Sequence, residues 1–251
     1  PVEDNPHGAF LYDMLPQLAV GSLIAFLVLR RSVTLQLSVS IGLIALTEVS
    51  YRLWAAAGSG QPFAAGDNFG AHLDRMIWGS ASGENWVSFN MVPLAAVVIW
   101  GALAGRLLRG QPRPRRMIIA LAALGSGAIL LGLGLGHFTP IIRRIATSSF
   151  VILSGGTCFL ALALAYWLTD VLKIRKAATV FLPVGMNPIF IYLFAQTGGA
   201  EWLRRLAEPF TLGLAGWAGR TAVGLSTALA ALGLMWGLCY WLYRRKIFIR
   251  I

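Results

Sequence analysis

Residues 181–196 read FLPVGMNPIFIYLFAQ, a stretch apolar enough for a bilayer but interrupted by Pro183, Gly185, Asn187 and Pro188. Pro188 removes one backbone donor and weakens the helical turn before it. A helix broken at membrane depth persists only where protein or a water-filled cavity satisfies the freed backbone groups. The stretch therefore predicts a broken membrane helix. Its asparagine either bonds a neighbouring helix or lines a polar cavity, and the sequence leaves both interpretations open.

The composition of the whole chain places this stretch in an integral membrane protein. Of 251 residues, 57% are hydrophobic and 12% are charged, whereas soluble domains carry about 25% charged residues. We therefore predict an all-α integral membrane protein, a single transmembrane domain over residues 1–251, with short interfacial helices at 69–78 and within 197–220. Apolar runs near the length that crosses a bilayer predict seven spans, at 11–29, 33–54, 86–108, 117–136, 148–169, 179–196 and 221–243.

The Lys and Arg residues concentrate in alternate connections between these spans. The clusters occur at 30–31, 106–116, 173–176 and 244–250. Short loops rich in Lys and Arg remain cytoplasmic. The sequence thus predicts a cytoplasmic C-terminus and an outside N-terminus, in a bacterial inner membrane. The same rule explains the net charge of +11 without a nucleic-acid partner, and membrane lipids are the expected surroundings.

Polar side chains inside the apolar segments are the first candidates for a site. Glu48 lies near the outer end of the second span, where a carboxylate needs a partner. Arg52 follows one turn later and shares its helix face. The pair is interpreted either as a structural couple or as a substrate site at the outer mouth of the protein. Asn90, in the third span, either bridges helices or lines a cavity.

A glycine-rich segment precedes one of two candidate catalytic histidines. Residues 125–137 read GSGAILLGLGLGH. A dinucleotide fingerprint needs a preceding strand and a soluble crossover unit, so the glycines predict close helix packing instead. His137 ends this segment, and His72 lies in an outer loop two residues before Asp74. Because histidine side chains exchange protons near neutral pH, both are candidates for acid–base work at the outer face, with Asp74 as a candidate partner.

Several segments together resemble one family of membrane enzymes. They are PIIRRIATSSFVILSGG, AYWLTDVLK, FLPVGMNPIFIYL, the terminal WLYRRKIFIRI, GDNFGAHLDRMIWG and WVSFNMVPLAAVVIWGALAGRLL. In order and spacing the chain is similar to the heparan-alpha-glucosaminide N-acetyltransferase family and its bacterial relatives. The resemblance implies an all-helical membrane acyltransferase that passes an acetyl group from cytosolic acetyl-CoA, its cosubstrate, to an amino sugar or glycan at the outer face. It implies no metal.

The resemblance also implies where the cosubstrate binds and what is missing. The anionic phosphates of CoA would suit the arginines Arg113, Arg115 and Arg116. The family's first helices and the outer loop with its catalytic histidine have no counterpart in this chain. If the natural protein begins near Pro1, we therefore expect no acetyl transfer.

Two rival functions follow from this departure. The first is a non-catalytic membrane subunit that retains the fold and packs in a larger membrane complex or a homo-oligomer. The second is a small-solute transporter. The broken segment at 179–196 supports this function, although the sequence shows no inverted repeat of the kind common in transporters.

Overall fold

A computed structural model describes residues 14–59, 61–110 and 114–249. Over these ranges the chain is helical, with no strand beyond a single bridge between Phe63 and Asn68, so the all-α prediction is confirmed. The helices are α1 (Met14–Leu29), α2 (Val33–Trp54), α3 (Phe69–Trp78), α4 (Met91–Gly110), α5 (Pro114–Leu135), α6 (Ser148–Tyr166), α7 (Arg175–Met186), α8 (Pro188–Gln196), α9 (Gly199–Ala215) and α10 (Arg220–Arg244).

Five of these helices are long and apolar enough to cross a membrane. They are α2, α4, α5, α6 and α10. A sixth span results if α7 and α8 are counted together, although the two helices meet at an angle of 71°. The apolar helix α1 has 16 residues, fewer than the ~20 of a typical span, and the first residues of the predicted span 11–29 lie outside the described ranges. The protein is thus a multi-pass membrane protein, and the number seven stays a prediction.

The chain divides into two compact units, Pro1–Trp167 and Leu168–Ile251. In the first unit, α5 and α6 pack most closely, because glycines remove the side chains between them. A Cβ added at Gly132 would lie 2.8 Å from the backbone nitrogen of Leu153, and one at Gly156 would lie 2.8 Å from the carbonyl oxygen of Gly125. The predicted close packing of the glycine-rich segment is therefore confirmed.

The remaining helices of the first unit are held by α4. A Cβ added at Gly21 of α1 would lie 3.4 Å from the Cα of Ala95 in α4. On another side of α4, the indole of Trp100 donates a 3.0 Å hydrogen bond to the Ser40 hydroxyl of α2. α4 thus contacts both α1 and α2 and lies near the centre of this unit.

The segment between α2 and α4 forms an aromatic cap. Tyr51 is 1% exposed and packs against the rings of Phe63, Phe69 and Phe89, at centroid distances of 5.9, 5.9 and 6.2 Å. The side chain of Asn68 caps α3 by accepting from the backbone of Ala71. These contacts fix α3 against the end of α2. The membrane-surface position of α3 stays a prediction.

In the second unit, α10 packs against both α7 and α9. The hydroxyls of Thr211 and Thr227 lie 2.5 Å apart between α9 and α10, and the indole of Trp236 donates to the carbonyl of Val180 across 2.6 Å. α9 also presents an apolar face, with Trp202 and Phe210 61% and 70% exposed. This face is compatible with the predicted interfacial helix, whose place in the membrane stays a prediction.

Candidate functional site

A groove of about 990 Å³ runs along α2 in the first unit. Its walls are α2 and α5, and its floor comes from α4 and α6. It is lined from Val33 to Arg52, which at 1.5 Å per residue is about 28 Å. That length approaches the thickness of the hydrocarbon core of a bilayer, about 30 Å. The groove therefore follows α2 over a length close to the thickness of the apolar layer.

A charged cluster occupies one end of the groove. The Glu48 carboxylate accepts from Arg52 Nε at 2.7 Å, from Thr139 Oγ1 at 2.6 Å and from Ser148 Oγ at 2.5 Å. Arg52 Nη2 also donates to Thr139 Oγ1 and to the carbonyl of Phe138. The predicted pairing of Glu48 with Arg52 on one helix face is confirmed, and the pair ties α2 to the loop between α5 and α6.

The middle of the groove is lined mainly by apolar side chains, and its few polar groups bond to one another or to the backbone. The Trp100 indole donates to Ser40 Oγ, and Ser40 Oγ donates to the carbonyl of Leu37 at 2.9 Å. The surrounding lining residues are aliphatic or aromatic, including Ile44, Leu103 and Phe159. An apolar lining of this kind accommodates hydrocarbon and disfavours a polar solute.

At the opposite end of the groove the charge is positive. Arg106 lines the groove beside Val33. Its described hydrogen bond is a long one, 3.4 Å from Nη1 to the carbonyl oxygen of Arg31. Within residues 14–59, 61–110 and 114–249, no carboxylate forms a salt bridge with it. One end of the groove therefore holds an ion pair, and the other holds an arginine without a salt bridge among the described residues.

The first pair of candidate catalytic residues does not form an acid–base couple. The ring of His72 stacks on Trp54 with centroids 4.1 Å apart. Asp74 is fully buried and accepts from the backbone nitrogen of Ser88 at 3.1 Å and from the Ser88 hydroxyl. Burial raises the pKa of the Asp74 carboxyl, and the hydrogen bonds from Ser88 offset part of this effect. Asp74 thus anchors the start of the turn that leads into α4.

His137 and the arginines predicted for CoA lie at the two ends of α5. His137 is exposed just beyond the last residue of α5, and Arg115 and Arg116 are exposed in its first turn. Arg113 lies outside the described residues. No described contact joins His137 to His72 or Asp74, so the predicted catalytic set is not brought together in the described part of the chain.

The two asparagines face protein rather than lipid. Asn90 is 1% exposed and donates to the carbonyl of Arg144 at 2.8 Å, while its Oδ1 has no partner among the described residues. Asn187 is fully buried, donates to the carbonyl of Ile247 at 3.2 Å and accepts from the nitrogen of Ile249 at 2.9 Å. The prediction that Asn187 faces protein or a cavity is confirmed. Neither asparagine is among the residues that line the groove.

A second, smaller cleft lies between α9 and α10. It measures about 410 Å³ and is lined by charged side chains that include Glu201 and Arg220. Glu201 pairs with Arg204 at 3.5 Å and Arg205 at 3.3 Å, and all three side chains are more than half exposed. Exposed pairs of this kind contribute little free energy, so these contacts do not by themselves mark the cleft as a binding site.

Sequence reasoning missed Thr139, Ser148 and Arg106 as parts of the groove. Small hydroxyl residues at 147–149, directly before a long apolar helix, were the available signal for Ser148. Across residues 14–59, 61–110 and 114–249, no group of three or more His, Cys, Asp or Glu side chains is arranged to hold a metal ion. No protein-family model matches the chain, and no curated protein matches it in sequence.

Proposed function

We propose that this chain is a membrane-bound acyltransferase-like protein that passes an acetyl group from cytosolic acetyl-CoA to an amino sugar or glycan at the outer face. The proposal includes seven spans, an outside N-terminus and a cytoplasmic C-terminus. One observation carries it: the Glu48 carboxylate lies at the end of a membrane-deep groove, with Arg52, Thr139 and Ser148 around it. The sequence resemblance to membrane N-acetyltransferases supports the same reaction.

The reaction assigns a role to each part of this cluster. The acceptor amine forms a C–N bond to the acetyl carbon, the C–S bond of the thioester breaks, and CoA leaves as its thiol after taking a proton. The amine must lose a proton to a base, for which the Glu48 carboxylate is the nearest group in the cluster. The Arg52 guanidinium is the donor for charge that develops on the acetyl oxygen, while the Thr139 and Ser148 hydroxyls hold the Glu48 carboxylate in place. Arg115 and Arg116 are exposed for the phosphates of CoA.

The test is acetyl transfer by the natural full-length protein in sealed vesicles. Acetyl-CoA is supplied on one side and a glucosamine-type acceptor on the other. We expect Glu48→Gln to lower the rate about 10²–10⁴-fold, because the base is lost. Glu201→Gln, which changes an exposed carboxylate in the second unit, serves as the matched control and should leave the rate unchanged. Equal rates for wild type and Glu48→Gln would exclude Glu48 as the base.

The second candidate function is a non-catalytic membrane subunit. It is favoured by two contacts: Asp74 accepts a hydrogen bond from Ser88, and the ring of His72 packs against Trp54. Neither side chain is therefore part of an acid–base pair. This function predicts no turnover by the wild-type protein, together with migration as part of a larger complex in native gels of gently solubilised membranes. Turnover that His72→Ala or His137→Ala abolishes would contradict it and would place the catalytic centre at the substituted residue.

A small-solute transporter is the weakest of the three hypotheses. The bend at Asn187 was its main support, and that asparagine is fully engaged by the backbone of residues 247 and 249. The groove in the first unit is apolar along its middle. Neither feature offers a polar solute a continuous set of hydrogen-bonding partners.

A further inference from the structure

We propose that the groove between α2 and α5 binds an anionic glycerophospholipid, with one acyl chain along the apolar lining and the phosphate at Arg106. The inference is independent of the acyltransferase proposal, since it concerns the end of the groove opposite Glu48. It rests on three observations: the apolar lining, the open side of the groove and the uncompensated charge of Arg106.

The lining fits hydrocarbon and the groove is open to the bilayer along its length. Leu37 and Ile41 on α2 are 42% and 64% exposed, and Leu124 and Leu131 on α5 are 53% and 56% exposed. Exposed apolar walls in a membrane protein contact acyl chains at no desolvation cost. A lipid therefore enters sideways from the bilayer. The volume of about 990 Å³ lies at the upper end of the roughly 300–1,000 Å³ range of ligand sites.

The charge at the Arg106 end selects an anion. Arg106 has no described carboxylate partner, and the basic residues Arg30 and Arg31 are exposed in the nearby connection between α1 and α2. A guanidinium binds a phosphate through paired N–H donors and is less strongly hydrated than an ammonium group. Because the groove spans about 28 Å, Arg106 lies near the edge of the hydrocarbon layer, which is the depth of a lipid phosphate.

The length of the groove also places the acyl chain. One leaflet supplies about half of the 30 Å core, so a single chain from the Arg106 side covers about half of the groove. It ends in the apolar middle, near Ile44, and leaves the Glu48 cluster uncovered. A helix from a second copy or from another protein would fill the groove along its whole length and would bury Arg106 without a phosphate.

The test is native mass spectrometry of the full natural protein after reconstitution into nanodiscs of equal parts phosphatidylglycerol and phosphatidylcholine and mild detergent extraction. We expect retained phosphatidylglycerol to exceed retained phosphatidylcholine about tenfold, as one charge-assisted contact implies. The double substitution Ile41→Trp and Leu131→Trp narrows the groove from both walls and should remove the bound lipid. Its control, Leu46→Trp and Leu130→Trp, changes exposed residues of the same helices outside the groove.

A second pair of variants isolates the phosphate contact. Arg106→Gln should abolish the preference for phosphatidylglycerol while retaining some lipid, whereas Arg109→Gln, one turn away and outside the lining, should keep the preference. Circular dichroism melting of all variants separates lost binding from lost folding. Equal retention of the two lipids by the wild type, retention that survives the groove-narrowing substitutions, or a protein chain found in place of the lipid would each overturn the proposal.

Discussion

Asn187 joins two parts of the chain that lie about sixty residues apart. Its side chain donates to Ile247 and accepts from Ile249, so both of its polar groups are used inside the protein. We expect Asn187→Leu to lower the free energy of unfolding by about 1–2 kcal/mol, because it removes two buried hydrogen bonds to the backbone that follows α10. Unfolding in mixed detergent micelles measures this. Thr157→Val, at an exposed residue whose hydroxyl bonds only its own helix, should change stability by less than about 0.5 kcal/mol.

Asp74 should make stability depend on pH. Its pKa in the folded protein is raised above the ordinary value of 3.8 because the carboxyl is buried. Between 3.8 and the raised value, the folded protein holds a proton that the unfolded chain has released. The free energy of unfolding therefore falls as the pH rises through this window. Asp74→Asn cannot titrate, so its unfolding free energy, measured from below pH 3.8 upward, should fall less steeply than that of the wild type; parallel curves would refute the assignment.

Residue-level predictions from sequence succeed where the partners are close in the chain. Glu48 and Arg52 are four residues apart on one helix, so their pairing follows from helix geometry. Thr139 and Ser148 lie 91 and 100 residues from Glu48. No periodicity connects such positions, because the contact exists only once α5 and α6 have packed beside α2. The buried role of Asp74 was missed for the same reason, since it depends on where Ser88 is placed.

The close pairing of α5 and α6 depends on particular glycines rather than on glycine content. A Cβ at Gly132 would lie 2.8 Å from the backbone of Leu153, whereas one at Gly134 would meet nothing within 4 Å. We expect Gly132→Ala to destabilise the protein by about 1–3 kcal/mol through overpacking. Gly134→Ala should stabilise it by about 0.5–1 kcal/mol, because alanine favours the helix. Unfolding free energies measured in the same micelles should differ in sign; two changes of the same sign would argue against this packing.

At the scale of helices, uninterrupted apolar runs predict the elements well. The predicted span 33–54 coincides with α2, and 221–243 differs from α10 by one residue at each end. The run 179–196 was predicted as one broken span, and the structure divides it at Asn187 with a bend of 71°. The angle was not predictable, because it depends on hydrogen bonds to residues 247 and 249. Gly101 and Gly105 have the small-xxx-small spacing typical of helix packing, yet an added Cβ at either meets nothing within 4 Å.

For the molecule as a whole, the distribution of Lys and Arg predicts its orientation. In a variant without Cys158 and Cys239, we expect a cysteine at Asp67 to react with an impermeant reagent in intact cells. A cysteine at Gly110, the last residue of α4, should react only after permeabilisation, because it belongs to a basic connection. Gel-shift labelling of both variants measures this. Reaction of the Gly110 cysteine in intact cells would reverse the topology.

The groove is the feature of the whole molecule that sequence could not predict. Each helix that forms it reads as an ordinary apolar segment, and the lining positions are indistinguishable from lipid-facing ones by residue type. The groove arises because α4 contacts α2 and α6 contacts α5, while α2 and α5 do not pack closely against each other. Such a separation is a property of four helices together, and it exists only in the folded protein.

The hydrogen bonds of Asn187 set an order of events during synthesis of the protein. Ile249 follows Asn187 by 62 residues, and ribosomes add about 5–20 residues per second, so the partner arrives about 3–12 s later. The tightly packed pair α5 and α6 is complete once Tyr166 has been added, before the bend has even been translated. For those seconds the newborn chain carries the Asn187 side chain at an apolar bend without the two backbone partners that it has in the folded protein.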